Sequence, residues 1–406
     1  MKKENIYPWV VVGLLSVVAF LNYLDRQMLS TMQAAIGMDI AELQVAQNFG
    51  RLMAIFLWVY AVVSPFAGSI ADRLSRKWLI VGSLGVWSMV TLLMGHCQTF
   101  TQMYWLRGLM GVSEALYIPS SLSLIADYHE GKSRSLAVGL HMTGLYLGQA
   151  VGGFGAIFAS ALSWRMTFQW FGIIGVLYAA VLVFCLKERR VSKSTDINFD
   201  KQSLFKSFGL IFSNIAFWVI LFFFASTSLP GWATKNWLPT LFAQHIDGGM
   251  AVAGPVATIT IAFSSFIGVM VGGPMSDRWV KRNLKGRIYT SAIGLSMMIP
   301  ALLLMGLGHG IVTAVASGLI FGLGYGMFDT NNMPILCQFV PSRLRATAYG
   351  FMNMVGVAMG ALCTQILGHI PNLGLSFAIL GGVTAVALAL QLIVLRPETD
   401  DMKDAG

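Results

Sequence analysis

Apolar residues in this chain come in long unbroken runs, without the alternation of a strand or the one-sided stripe of a surface helix. Runs long enough to cross roughly 30 Å of hydrocarbon fall at 8–31, 50–71, 77–96, 101–125, 134–160 and 165–186. After a polar stretch they resume at 209–241, 252–275, 288–308, 312–336, 345–368 and 373–395. The pattern predicts twelve transmembrane helices and an all-α membrane protein. Only one polar interruption is long, from Lys187 to Lys206. It divides the chain into an N-terminal six-helix half (1–187), a linker (188–207) and a C-terminal six-helix half with a short tail (208–406). The first run follows Lys2 and Lys3, as in a signal peptide. It is too long for that role and lacks a small-residue cleavage site, so it reads as an uncleaved helix.

Composition agrees. Hydrophobic residues make up 56% of the chain and charged residues 11%, against about 25% charged in soluble proteins. So few charges cannot cover a surface in water. The net charge of +9 therefore reports membrane loops and does not point to nucleic acid. With both termini cytoplasmic, 22 of the 27 Lys and Arg residues fall on the cytoplasmic side, as the positive-inside rule requires. Cys97, Cys185, Cys337 and Cys363 are scattered without a CxxC pair. They read as small apolar fillers, with neither a disulfide framework nor a metal site.

An internal repeat supports two halves. Gly68-Ser-Ile-Ala-Asp72-Arg73 returns as Gly273-Pro-Met-Ser-Asp277-Arg278, 205 residues later. Glu114 lies five residues before Pro119 and Asp329 five before Pro334, a shift of 215. The copies share an orientation, which predicts parallel repeats about an axis normal to the membrane. Asp72, Arg73, Asp277 and Arg278 then sit at cytoplasmic helix ends, where carboxylates can pair with bases or helix N-termini and latch that side shut. The plainer alternative is ordinary surface charge.

Inside the spans remain three acids, Asp25, Glu114 and Asp329, and three bases, Arg26, Arg107 and Lys235. Each costs at least about 2.5–3.5 kcal/mol in lipid, so they must pair or face water. Arg107 and Glu114 lie two turns apart on one helix face. Arginine offers a planar fork for a carboxylate, so Arg26 or Arg107 can clamp an acidic ligand. A dehydrated carboxylate favours its neutral form, and protonating it would release a paired arginine. The competing reading is a fixed ion-pair lock between the first and fourth spans. Lys235 either supplies a second positive contact from the C-terminal half, bridging the halves through the ligand, or snorkels to the outer head groups. Asp329, followed by Asn331 and Asn332, can pair with Lys235, carry a proton, bind hydroxyls or serve structure alone. Tyr23, Tyr146, Gln149, Trp232, Asn236 and Asn353 are neutral candidates for stacking and hydrogen bonding to a sugar. His141 reads as an interhelix partner.

Several motifs resemble the major facilitator superfamily: GSIADRLSRK (Gly68–Lys77), with Ser75 where that family usually has glycine, RGLMGVSEA (Arg107–Ala115) and the glycine-rich GLYLGQAVGG (Gly144–Gly153). NYLDR (Asn22–Arg26) is similar to the anion:cation symporter branch, which moves organic acids such as hexuronates, aldonates and sialic acid with protons. The resemblance implies alternating access in the plasma (bacterial inner) membrane. Arg26 takes the place of the branch's substrate-facing arginine, Asp25 and Glu114 of its proton-carrying carboxylates, and Asn353 of its asparagine in the eleventh helix. Asp329 departs from the branch, which usually lacks an acid there.

The leading expectation is a proton-coupled symporter of an organic anion, a sugar acid, acting as a monomer with a small anion, protons and the lipid bilayer as partners and no cofactor. NYLDR also resembles spinster-type lysolipid transporters, for which three buried bases are a poor fit. A membrane sensor would need a signalling domain for which linker and tail leave no room. GxSxG, HExxH and Walker A patterns are absent from the sequence, which argues against an enzyme or a nucleotide-driven pump.

Overall fold

The computed structural model describes residues 6–129, 132–188, 212–213, 215–340 and 345–397. The expected linker lies, apart from Glu188, outside the described residues, as do the side chains of Asp72 and Arg73. Among the described residues the structure is helical throughout. Among the described residues eleven helices are long and apolar enough to cross a membrane, and a twelfth crossing is a pair bent by 52° at 153–154.

The first half comprises α1 (Tyr7–Thr31), a short α2 (Gln33–Asp39), α3 (Ala46–Arg73), α4 (Arg76–Met94), α5 (Phe100–Ala115), α6 (Tyr117–Tyr128), α7 (Lys132–Gly152), α8 (Gly155–Leu162) and α9 (Trp164–Cys185). The second comprises α10 (Ile215–His245), α11 (Gly249–Val280), α12 (Gly286–Leu307), α13 (Ile311–Asp329), α14 (Asn332–Cys337), α15 (Arg345–Leu367) and α16 (Leu373–Val394).

The expected fourth and tenth spans are each two helices, and a proline follows each break, whereas Pro65, Pro230, Pro239, Pro255, Pro274 and Pro300 lie inside continuous helices. Pro119 and Pro334 cannot donate to the carbonyls of Ala115 and Thr330 four residues back, and their rings crowd those carbonyls. α5 ends at Ala115 and α13 at Asp329. The spacing of acid and proline thus marks a helix end, and it leaves Glu114 and Asp329 each at the last turn of a broken span.

Packing repeats between the halves. α1 lies on α7 as α10 lies on α15, α3 on α5 as α11 on α13, and α4 on α9 as α12 on α16. Across the halves α3 meets α15 and α7 meets α11, contacts that a two-fold axis exchanges. Small residues permit the closest approaches. A Cβ at Gly144 or Gly148 would strike the carbonyl oxygen of Ser16 or Phe20 on α1.

The halves touch most closely at the face opposite the one where α1 starts and α16 ends. There Gly153 abuts Thr258 and Gly254, and Gly50 abuts Thr364 and Gly368. Thr258 donates to the Ala150 carbonyl at 3.1 Å, and Gln27 Nε2 donates to the Lys235 carbonyl at 2.9 Å. Toward the terminal face α7 and α11 part: a Cβ at Gly139 would meet nothing within 4 Å, and one at Gly273 would meet only Thr330 of its own half. α3 and α15 stay together longer, past Asn353, whose Nδ2 donates to Ser64 Oγ at 2.9 Å. The bundle is closed at one face and opens on the other.

Candidate functional site

Four of the six interior charges gather where α1, α4 and α5 meet. Arg26 projects from α1 and its Nε donates to Glu114 Oε2 at 2.5 Å. The side chain of Arg26 is 13% exposed and that of Glu114 is fully buried. The guanidinium of Arg26 lies 5.1 Å from the ring centres of Tyr23 and Tyr60 and 4.7 Å from that of Phe56. Arg107 also stands 4.7 Å from the Phe56 ring, so one aromatic side chain serves both cations. Tyr60 and Phe56 come from α3, one turn apart, and share a helix face.

Asp25, next in sequence to Arg26, points the other way along α1. It is buried and accepts a hydrogen bond from Thr91 Oγ1 of α4 at 3.1 Å. Arg107 is equally buried, and its Nη1 contacts Met110 Sδ at 2.9 Å. One oxygen each of Asp25 and Glu114, Nε of Arg107 and Nη2 of Arg26 have no hydrogen-bond partner among the described residues. Buried unpaired polar atoms of this kind are costly, and four of them lie in this one cluster. Of the two candidate clamps, Arg26 is the one with access. Arg107 sits behind Phe56.

The second half brings its own pair to the same gap. Lys235 on α10 is half-buried, with Nζ 4.8 Å from the Trp232 ring centre and 5.6 Å from that of Tyr325. Asp329, at the end of α13, is exposed although it lies midway through the bundle, and its Oδ1 accepts from Asn332 Nδ2 at 3.1 Å. An acid that is both interior and exposed faces an open cavity. Asp329 lies within electrostatic reach of Lys235 without an ion-pair contact. Tyr23, Tyr146, Tyr325 and Tyr349 feel its charge too, so phenols from both halves stand near it.

Other sequence candidates find different surroundings. Tyr146 is half-buried, its ring centre 6.1 Å from that of Phe266 across the α7–α11 contact. Gln149 is buried on α7. Asn353 donates to Ser64 between the halves, and Asn236 donates to Thr364 Oγ1 at 2.8 Å. Trp232 packs on Gly360. His141 is buried with Nε2 3.4 Å from Ser121 Oγ, an interhelix contact. Asp277 and Arg278 are exposed and form no ion pair among the described residues; Arg278 lines a cavity of about 780 Å³ along the end of α11. The first half's terminal face is instead tied by Arg76 to Asp127 and by Glu188 to the Arg76 backbone N–H at 2.8 Å.

Sequence reasoning missed Phe56, Tyr60 and Thr91. An aromatic ring inside an apolar run carries no signal of its own. Thr91 shows only as a hydroxyl near the depth of Asp25.

A two-fold bundle of two six-helix halves, closed at one face and holding ionisable groups in its interior, defines a multi-pass membrane transporter. The chain belongs to the Major Facilitator Superfamily, whose family model matches residues 15–364; it is a transporter and not an enzyme. Among its relatives, the probable L-galactonate transporter of Escherichia coli (strain K12) is 25% identical over 414 residues, covering 96% of this chain and 90% of that protein. The probable galactarate/D-glucarate transporter GudP of the same strain is 24% identical over 433 residues, covering 97% and 94%. In fold, the chain is similar to a bacterial homologue of the human lysosomal transporter spinster in an inward-facing, unoccupied conformation, with a TM-score of 0.74, 19% identity and 96% of each chain covered.

Proposed function

We propose that this protein is a proton-coupled symporter of an organic anion, a sugar acid, working by alternating access between halves 1–187 and 208–406. One observation carries the reading: Arg26, the accessible cation, is held by a single buried carboxylate, Glu114, at 2.5 Å. Protonating Glu114 removes the charge that occupies Arg26, and the guanidinium fork becomes free for a substrate carboxylate. A proton and an anion then enter together because each makes room for the other. Asp25, beside Arg107 and Thr91, is a second proton-carrying acid behind the binding surface. Tyr23, Tyr146 and Gln149 supply the walls against which a sugar chain lies, and Arg107 holds the field that keeps Glu114 in place.

The positive-inside distribution of Lys and Arg puts both termini in the cytoplasm. The closed face is then external and the structure is open inward. Asp277 and Arg278, exposed at the cytoplasmic end of α11, belong to the latch of that side. Asp72 and Arg73 are its counterparts in the first half. The names of the sugar-acid transporters among the relatives support the substrate class.

The test is uptake into proteoliposomes with labelled sugar acids, neutral sugars and lysolipids under an imposed pH gradient. Accumulation of a sugar acid driven by an acidic exterior supports the reading. Preference for a neutral sugar or a lysolipid overturns the arginine clamp.

A further inference from the structure

The end of α11 at the open face is built in a way that carrying a sugar acid does not require. α11 runs for 32 residues, about 48 Å at 1.5 Å per residue, against roughly 30 Å of hydrocarbon. Its last turns therefore leave the apolar layer and stand among lipid head groups. There lies the cavity of about 780 Å³, within the roughly 300–1,000 Å³ of sites that hold a small molecule. It begins one turn beyond Phe266, whose ring meets Tyr146 of α7, where α7 and α11 part.

The lining changes character along the helix axis. Met270, Val271, Pro274 and Met275 form its apolar part, and Met270 and Val271 are 60% and 48% exposed. Trp279 follows, its ring centre 5.6 Å from that of Tyr289 on α12. Arg278, Lys281 and Arg282 complete the lining, all three exposed. The Arg282 N–H bonds the Trp279 carbonyl at 2.9 Å, which continues the turn past the helix end. The three cations thus stand at i, i+3 and i+4, on one side of that turn. None of them forms an ion pair among the described residues. Asp277, beside Arg278 in the chain, is not part of the lining; Gly273, one turn before it, faces Thr330 on another side of α11. The positive-inside bias accounts for the side of the membrane these bases occupy. It does not gather three of them at the mouth of an apolar trough.

We propose that this cavity binds one anionic phospholipid of the adjacent leaflet. Its charged head group lies on Arg278, Lys281 and Arg282, and an acyl chain runs along Met270, Val271 and Met275. Trp279 stands between them at the glycerol level, where tryptophan is favoured. A sugar acid or a free phosphate gains nothing from the apolar trough, whereas a lipid uses both parts. The site is separate from Arg26, Glu114 and Lys235, and its test reads no transport, so it stands or falls independently of the symport reading.

The experiment places the full chain in nanodiscs of phosphatidylcholine with a rising fraction of lipid brominated on its acyl chains, either phosphatidylglycerol or phosphatidylcholine. Quenching of Trp279 is read as the difference between the wild type and Trp279→Phe. Brominated phosphatidylglycerol should reach half-quenching at a mole fraction at least about fivefold lower than brominated phosphatidylcholine, the factor that one interfacial cation supplies. The double variant Lys281→Gln/Arg282→Gln should reduce that preference below about twofold; both side chains are exposed, and Arg278 is left in place for the latch. Trp218, 51% exposed in the first turn of α10 at the same face, supplies the reference through Trp218→Phe. Equal preference at Trp279 and Trp218 would show only the general attraction of a basic face for acidic lipid and overturns the proposal. So does an unchanged preference in the double variant, or relief of the quenching by millimolar glycerol 3-phosphate, which would assign the cations to a soluble phosphate ester. If the double variant does not fold, the comparison of Trp279 with Trp218 decides alone.

Discussion

Each half of this transporter sets one cation on its first helix against one acid ahead of a proline, Arg26 with Glu114 and Lys235 with Asp329, and the two pairs are arranged in opposite ways. In the first half Arg26 and Glu114 are in contact, roofed by Tyr23, Phe56 and Tyr60, and the acid is sealed from water. In the second, Lys235 and Asp329 stand apart, and the acid is exposed. Duplication of a six-helix unit supplies the symmetry, and burial breaks it. A sealed acid that touches a cation can switch that cation on and off. An exposed acid that does not touch its cation lacks that contact. The proposed coupling therefore falls to the first half.

The largest expected effect comes from Arg26→Ala. It removes the accessible fork and leaves Glu114 buried without its partner, and truncating one member of such a pair costs about 2–5 kcal/mol. Substrate binding should fall by at least about thirtyfold, measured by equilibrium binding in detergent. Unchanged binding would place the anion elsewhere. Glu114→Gln comes next. It frees Arg26 permanently, so exchange of labelled for unlabelled substrate should continue while a pH gradient no longer drives accumulation. If Glu114→Gln still concentrates substrate, Glu114 is not the coupling group. Asp329→Asn sharpens the contrast: accumulation should persist, with apparent affinity changed only a few-fold, because no ion pair is lost. Loss of accumulation in Asp329→Asn would make the two halves equivalent and end the division of labour.

Much of this was legible in the sequence for a simple reason. A run of some twenty apolar residues has few outcomes other than a membrane helix, so the spans appear within a few residues of their predicted ends. The site residues were legible because charges in lipid are too costly to be incidental. Pairing was not. Arg107 shares a face with Glu114 two turns away, yet Glu114 bonds Arg26 on another helix, and the packing of α1 against α5 through α4 and α6 decides that. Nor does sequence separate a cation under an aromatic roof from one behind it: Phe56 leaves Arg26 partly exposed and Arg107 sealed. Gly144 and Gly148 let α7 pack closely on α1, while Gly153, in the break after α7, lies against Thr258 and Gly254 of the other half.

That last contact offers a test of the motion without touching a charge. A Cβ at Gly153 would overlap the Thr258 side chain and approach the Gly254 carbonyl at 2.9 Å, so Gly153→Val wedges the closed face apart. Overpacking of this kind costs about 1–3 kcal/mol, which moves the equilibrium between the two orientations roughly five- to 150-fold toward the state open on that face. Labelling of single cysteines introduced on either face should report the shift, with binding at Arg26 retained.

Thr91→Val marks the smallest step. Thr91 is the neutral donor to Asp25 as Asn332 is to Asp329, and its hydroxyl also reaches the Trp87 carbonyl. Valine keeps the shape and removes a hydrogen bond worth about 0.5–1.5 kcal/mol. Asp25 then loses its one side-chain donor among the described residues, so the pH profile of uptake should change while substrate affinity stays the same. A shift in affinity without a shift in the pH profile would assign Asp25 to the binding surface, not to the proton path.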